Sequence, residues 1–151
     1  MRGQLTTVDE VSRFILAEKN KKAKVAFTLV SKVTGTSFTY EISQKVNERV
    51  FYVKVLTGAN NDADYERLAV ITDKPGARLA YFHMPSSRIK PDAPSAVALQ
   101  WFALAILRDK RATSLAQLEV FHEGKCGKCG HRLTVKTSIL AGFGPDCAAE
   151  Q

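Results

Sequence analysis

Residues 24–42 read KVAFTLVSKVTGTSFTYEI, and this stretch decides the expected fold. Val25, Phe27, Leu29 and Val33 alternate with polar or small residues, the period of a strand that buries one face. Thr34-Gly35-Thr36 is a turn signal, because glycine reaches the positive φ of a tight reversal. Phe38, Tyr40 and Ile42 alternate again, so the segment predicts a β-hairpin. The same period continues downstream. Phe51, Val53 and Val55 mark a third strand, residues 65–72 a fourth and, after the Lys74-Pro75-Gly76 turn, residues 78–83 a fifth. Short connections between consecutive strands favour an antiparallel meander over parallel crossovers.

Helical periods flank these strands. Thr7-Val8-Asp9-Glu10 has capping-box spacing, and Val8, Val11, Phe14 and Ile15 recur at helical intervals, which predicts an amphipathic helix over 8–18. Lys19, Lys21, Lys22 and Lys24 follow as a basic linker. Residues 84–94 contain three prolines and read as a loop. Pro94-Ser95 opens a second helix with Val97, Trp101, Leu104 and Ala105 on one face, ending at Arg108-Asp109-Lys110-Arg111, where cations suit a helix C-terminus. A short helical turn is expected over 114–118.

The chain has 151 residues, a formal charge of +7 and a sequence pI near 9.5, a balance that favours polyanionic partners. The most apolar run, residues 96–107, is too short to span a bilayer, and MRGQLTTVDE lacks the apolar core of a secretory signal. A cytoplasmic location without membrane partners is therefore expected. In such a compartment cysteines serve as metal ligands or nucleophiles more than as bridges.

All three cysteines lie near the C-terminus, in HEGKCGKCGHRLTVKTSILAGFGPDCAAE. Cys126 and Cys129 form a C-x2-C-G knuckle whose glycines permit the turn around a metal. Cys147 follows Gly144-Pro145-Asp146, where proline can open a helix whose first amides favour a thiolate. Zinc prefers four tetrahedral ligands, and two histidines compete for the last position. His122 stands four residues before Cys126, far enough for the chain to turn back. His131 stands two beyond Cys129, in the outgoing strand. The spacing favours His122. Glu123 is the sole nearby acid that could act as a base at a catalytic zinc, and beside a ligand it reads better as a solvated side chain.

The run from His122 to Ala148, written HEGxCGxCGxxLT…S…GxGPxCA, resembles an uncharacterised zinc-finger domain family frequent in bacteriophage and actinobacterial proteins. The resemblance extends to FTLVSKVTGTSFTYEI, to VLTGANNDADYERLAVI and to the helix beginning at Pro94. It implies one zinc ion held by His122, Cys126, Cys129 and Cys147, since members carry arginine or lysine at the position of His131. It implies no established activity.

The expected fold class is α+β: an antiparallel β-meander with packed helices over residues 1–118, then a small treble-clef or zinc-ribbon-like module over 119–151. Between Gly124 and Pro145 stand Lys125, Lys128, Arg132 and Lys136 with no Asp or Glu, and they are candidates for phosphate contact. Tyr52 falls on the phase opposite Phe51 and sits near Lys54; it is the ring best placed to stack on a base, with Lys54 beside it. Asn60, Asn61, Asp62 and Asp64 resemble part of a calcium loop but lack its bidentate glutamate, and read as a turn. No G-x-S-x-G, P-loop or H-E-x-x-H motif is present. The expected function is that of a small, non-enzymatic, zinc-binding protein of phage or mobile-element type that binds nucleic acid. The alternative is an inhibitor or adaptor acting on a host protein. A nuclease has the least support, because no carboxylate cluster for a catalytic metal stands out.

Overall fold

A computed structural model describes residues 3–19, 23–45, 47–58 and 64–123. The elements are β1 (Gln4–Leu5), α1 (Val8–Leu16), β2 (Lys24–Ser31), β3 (Ser37–Gln44), β4 (Val50–Leu56), β5 (Tyr65–Thr72), β6 (Ala80–His83), α2 (Pro94–Phe102) and β7 (Leu118–His122). A π-helical turn, Ala103–Arg108, continues α2, and a 3-10 turn, Ala112–Ala116, precedes β7. All seven strands join one antiparallel sheet in the order β1-β7-β2-β3-β4-β5-β6.

The expected hairpin is β2 and β3, paired from Lys24↔Ser43 to Val30↔Ser37. Gly35 has φ +76 in its turn, and the Gly35 amide donates to the Ser31 carbonyl at 2.8 Å. The strands β2 to β6 form the expected meander. Two further strands correct the expected fold class. After β6 the chain crosses one sheet face through α2 and returns as β7, which pairs with β2 from Phe27↔His122 to Ser31↔Leu118. β1 then lines the far edge of β7.

Over the described residues the chain is thus mainly a seven-stranded antiparallel sheet with two short helices, which corrects the expected α+β meander with packed helices; the segment expected to form a treble-clef or zinc-ribbon-like module lies outside the described residues from 124 onward. Among the described residues no group of three or more His, Cys, Asp or Glu side chains is placed to hold a metal. The physical reason for the difference is that Leu118, Val120 and His122 alternate inward on a strand, with a histidine in the last core position. Residue 119, the expected start of the C-terminal module, lies inside β7.

Both helices pack on the same face of the sheet. Val11, Phe14 and Ile15 of α1 and Leu99 and Phe102 of α2 join Phe27, Tyr40, Ile42, Phe51, Val53 and Ile71 in one fully buried core. Each such side chain contributes about 1.5–3 kcal/mol by leaving water. Phe27 stacks on Tyr40 with ring centroids 5.3 Å apart, and meets Phe102 at 5.7 Å. The Tyr40 hydroxyl donates to the Ser95 carbonyl at 2.8 Å, which ties β3 to the first turn of α2. Burial raises the pKa of Tyr40, and burial pushes Tyr81 up to about 12.

Candidate nucleic-acid interface

β4 divides its side chains between two environments. Phe51, Val53 and Val55 enter the core, while Tyr52, Lys54 and Leu56 project from the opposite face and stay partly exposed. Among the described residues the buried side chains of both helices belong to the inner core, so neither helix covers that opposite face.

The register assembles two rows there. Tyr52 lies opposite Ser43 of β3 and Val70 of β5, and Val70 lies opposite Phe82 of β6. Phe82 is 55% exposed, two strands or about 10 Å from Tyr52. Lys54 lies opposite Glu41 on one side and Arg67 on the other. A β-bulge makes the second pairing possible: Val53 faces Ala69 and Lys54 faces Arg67, so Leu68 is the additional residue and turns into the core.

Charges of both signs lie on this face, with Glu41 of β3 opposite Lys54 and Lys24 of β2 opposite Ser43 in the row of Tyr52. Lys54 and Arg67 mark the β4–β5 side, and Lys45, at the end of β3, pairs with Glu48 at 3.2 Å. The hydrogen bond and charge of Glu48, followed by the charge of Tyr52, raise the Lys45 pKa. Acids mark the β7 side instead. Glu119 accepts from Gln4 Nε2 at 3.1 Å, and Glu123 accepts from the Thr28 hydroxyl.

Tyr52 and Lys54 were expected on this face from alternation alone, whereas Arg67 and Phe82 join them there through the register. The only signal for the latter two was strand register, and the bulge shifts that register by one residue.

Of the expected zinc ligands, His122 alone belongs to the described residues. It is 5% exposed, its ring lies 5.4 Å from that of Phe14, and its backbone amide donates to the Gly3 carbonyl at 2.9 Å. An imidazole on a backbone held from both sides, four residues before Cys126, suits a ligand in its chemistry and its reach along the chain. Cys126, Cys129, Cys147 and the competing His131 lie outside the described residues, as do Lys125, Lys128, Arg132 and Lys136.

Lys19 serves the fold. Its ammonium donates to the Ile15 and Ala17 carbonyls at 2.8 and 3.0 Å and lies over the Phe51 ring. His83 is structural as well, with Nε2 2.8 Å from the Ile89 carbonyl of the proline-rich loop.

A sequence model for a family of unknown function (DUF6011) matches residues 116–150. In that segment, which holds β7, His122 and all three cysteines, the chain is similar to an uncharacterised domain. The matched segment leaves the upstream strands outside it. Comparison with curated proteins and with solved structures gives no match. No helix among the described residues is long and apolar enough to cross a membrane.

Proposed function

We propose that this chain is a small zinc-binding, nucleic-acid-binding accessory protein of the kind carried by phages or mobile elements, without catalytic activity of its own. The observation that carries the reading is Tyr52, a partly exposed ring on the sheet face that neither described helix covers, with Lys54 beside it and Arg67 across from Lys54. Bases stack on such rings with little sequence preference, and neighbouring cations follow the phosphates. Lys125, Lys128, Arg132 and Lys136 add cationic contacts from the C-terminal segment.

Three thiolates from Cys126, Cys129 and Cys147 with the His122 imidazole form a donor set that zinc accepts. Bound there, zinc supplies structure, crosslinking the segment after β7. One zinc per chain is expected by elemental analysis. It is lost in Cys129→Ser, weakened in His122→Ala and unchanged in His131→Ala; loss in the last variant instead would assign the ligand to His131.

Fluorescence anisotropy of labelled oligonucleotides tests the nucleic-acid reading. Tyr52→Ala is expected to weaken binding of a single strand by about 1–3 kcal/mol. An undiminished affinity would remove Tyr52 from the interface.

A second reading, a module that docks on a host protein, is favoured by the exposed Phe82 on the short edge strand β6. A pull-down that returns one protein after nuclease treatment, and loses it in Phe82→Ser, would favour it.

A further inference from the structure

The second helix leaves apolar surface uncovered. Ser95, Ala96, Leu99 and Phe102 face the core, whereas Val97 and Trp101, one turn apart, are 51% and 38% exposed. Trp101 is the sole tryptophan of the chain. It forms the ridge between two depressions. One, about 510 Å³, runs toward the β2–β3 turn, where Phe38 and Val33 supply apolar walls and Ser31, Thr34, Thr36 and Gln117 supply hydrogen-bonding groups. The other, about 390 Å³, runs along the π-helical turn to Asp109 and Arg111.

Cations gather at the end of this second depression. Arg108 holds Asp109 through both carboxylate oxygens, at 2.9 and 3.2 Å. Arg78 donates to the same carboxylate at 2.9 Å, and Arg111 lies 3.9 Å from it. One carboxylate thus stands against three guanidiniums, with Lys110 next in the chain, and Arg78 and Arg111 are mostly exposed. The π-helical turn builds this cluster. The Asp109 amide reaches back to the Leu104 carbonyl and the Arg111 amide to the Ala105 carbonyl, both at 3.0 Å. Lys110 is held at φ +52, a left-handed position that glycine ordinarily takes after a helix. Unusual backbone of this kind concentrates at functional sites.

We propose that this surface is a binding site for single-stranded nucleic acid, with a base seated against Trp101 in the larger depression and the adjoining phosphate at Arg111 and Arg78. An apolar peptide would not use the surplus guanidiniums, and a duplex keeps its bases inside the stack. A single strand presents a planar ring, a hydrogen-bonding edge and a phosphate together, which matches indole, hydroxyl and amide groups, and arginines in that order. The site rests on the nucleic-acid reading above and shares none of its residues.

Because Trp101 is the only tryptophan, its fluorescence reports this site alone. Titrating the zinc-loaded full chain with a fluorescein-labelled oligothymidylate should quench Trp101 saturably while the label's anisotropy rises. Arg78→Ser/Arg111→Ser, which alters exposed side chains, should shift the quenching midpoint at least about tenfold, and Trp101→Ala should weaken anisotropy-measured binding by about ten- to a hundred-fold. A rise in anisotropy with unchanged Trp101 emission, or with affinity equal in both variants, overturns this site and leaves the wider reading standing. No anisotropy change overturns both. Trp101 emission that shifts with protein concentration alone, without oligonucleotide, assigns the groove to a second copy of the chain and also overturns the proposal.

Discussion

The two helices of the described fold spend their sequences differently. Every large apolar side chain at the centre of α1 is buried, and both its ends are closed by specific bonds. The Thr7 hydroxyl accepts from the Glu10 amide at 3.1 Å, the Glu10 carboxylate accepts from the Thr7 amide at 3.1 Å, and Lys19 covers the last carbonyls. α2 begins without a side-chain cap, carries apolar residues on its outer side as well as its inner side, and passes into a π-helical turn. The contrast teaches that α1 is committed to stability, while the outer side of α2 keeps apolar side chains that the described core does not bury.

The widest separation is expected between neighbours on α2. Phe102→Ala empties a fully buried position and should cost about 3–5 kcal/mol in urea unfolding. Trp101→Ala, one residue away and 38% exposed, should cost less, about 1–2 kcal/mol. Equal losses would break the distinction between the two sides of the helix. Next in size is Lys19→Ala in the closure of α1. It removes two charge-assisted hydrogen bonds and should cost about 2 kcal/mol, whereas Lys90→Ala, at an exposed loop position, should stay within about 0.5 kcal/mol.

Loss of the N-cap is smaller. Thr7→Ala should cost about 1 kcal/mol at neutral pH. Burial raises the Glu10 pKa, but hydrogen bonds from Thr6 and Thr7 outweigh it and hold the carboxyl below its ordinary range. A depressed folded pKa stabilises the fold above the unfolded pKa, and this contribution disappears as pH falls through the folded value. The stability gap between wild type and Glu10→Gln should therefore be present at neutral pH and close in acid, below about pH 4. A gap independent of pH would show that the capping carboxylate contributes nothing through its charge. The smallest effect is expected at Val33→Thr, at an exposed turn position, within about 0.5 kcal/mol.

Residues whose roles follow local rules were legible in the sequence. The capping box of α1, the β2–β3 hairpin and the fourth strand at Tyr65–Thr72 all lie where alternation and turn chemistry put them. Other features depended on distant partners. Val33 fits the period of β2 but stands exposed beyond its end, because the turn begins earlier. β1 has two residues and acquires meaning only through β7. In β7 itself, the sequence drew attention to His122 as a ligand and hid it as the inward member of a strand pattern. Lys19 looked like one of four solvated lysines until the end of α1 was brought over Phe51. The candidate site divides in the same way. Alternation alone separated Tyr52 from Phe51, but Arg67 and Phe82 needed the register across a bulge, and the arginines around Asp109 needed the crossing of α2.

The central claim is nucleic-acid binding through cations and rings. It is tested most directly by measuring affinity for single-stranded DNA, duplex DNA and RNA as salt is raised from about 50 mM to about 200 mM. Binding to at least the single-stranded form is expected, with log K falling linearly against log salt. Absence of binding to all three at the lowest salt would contradict it.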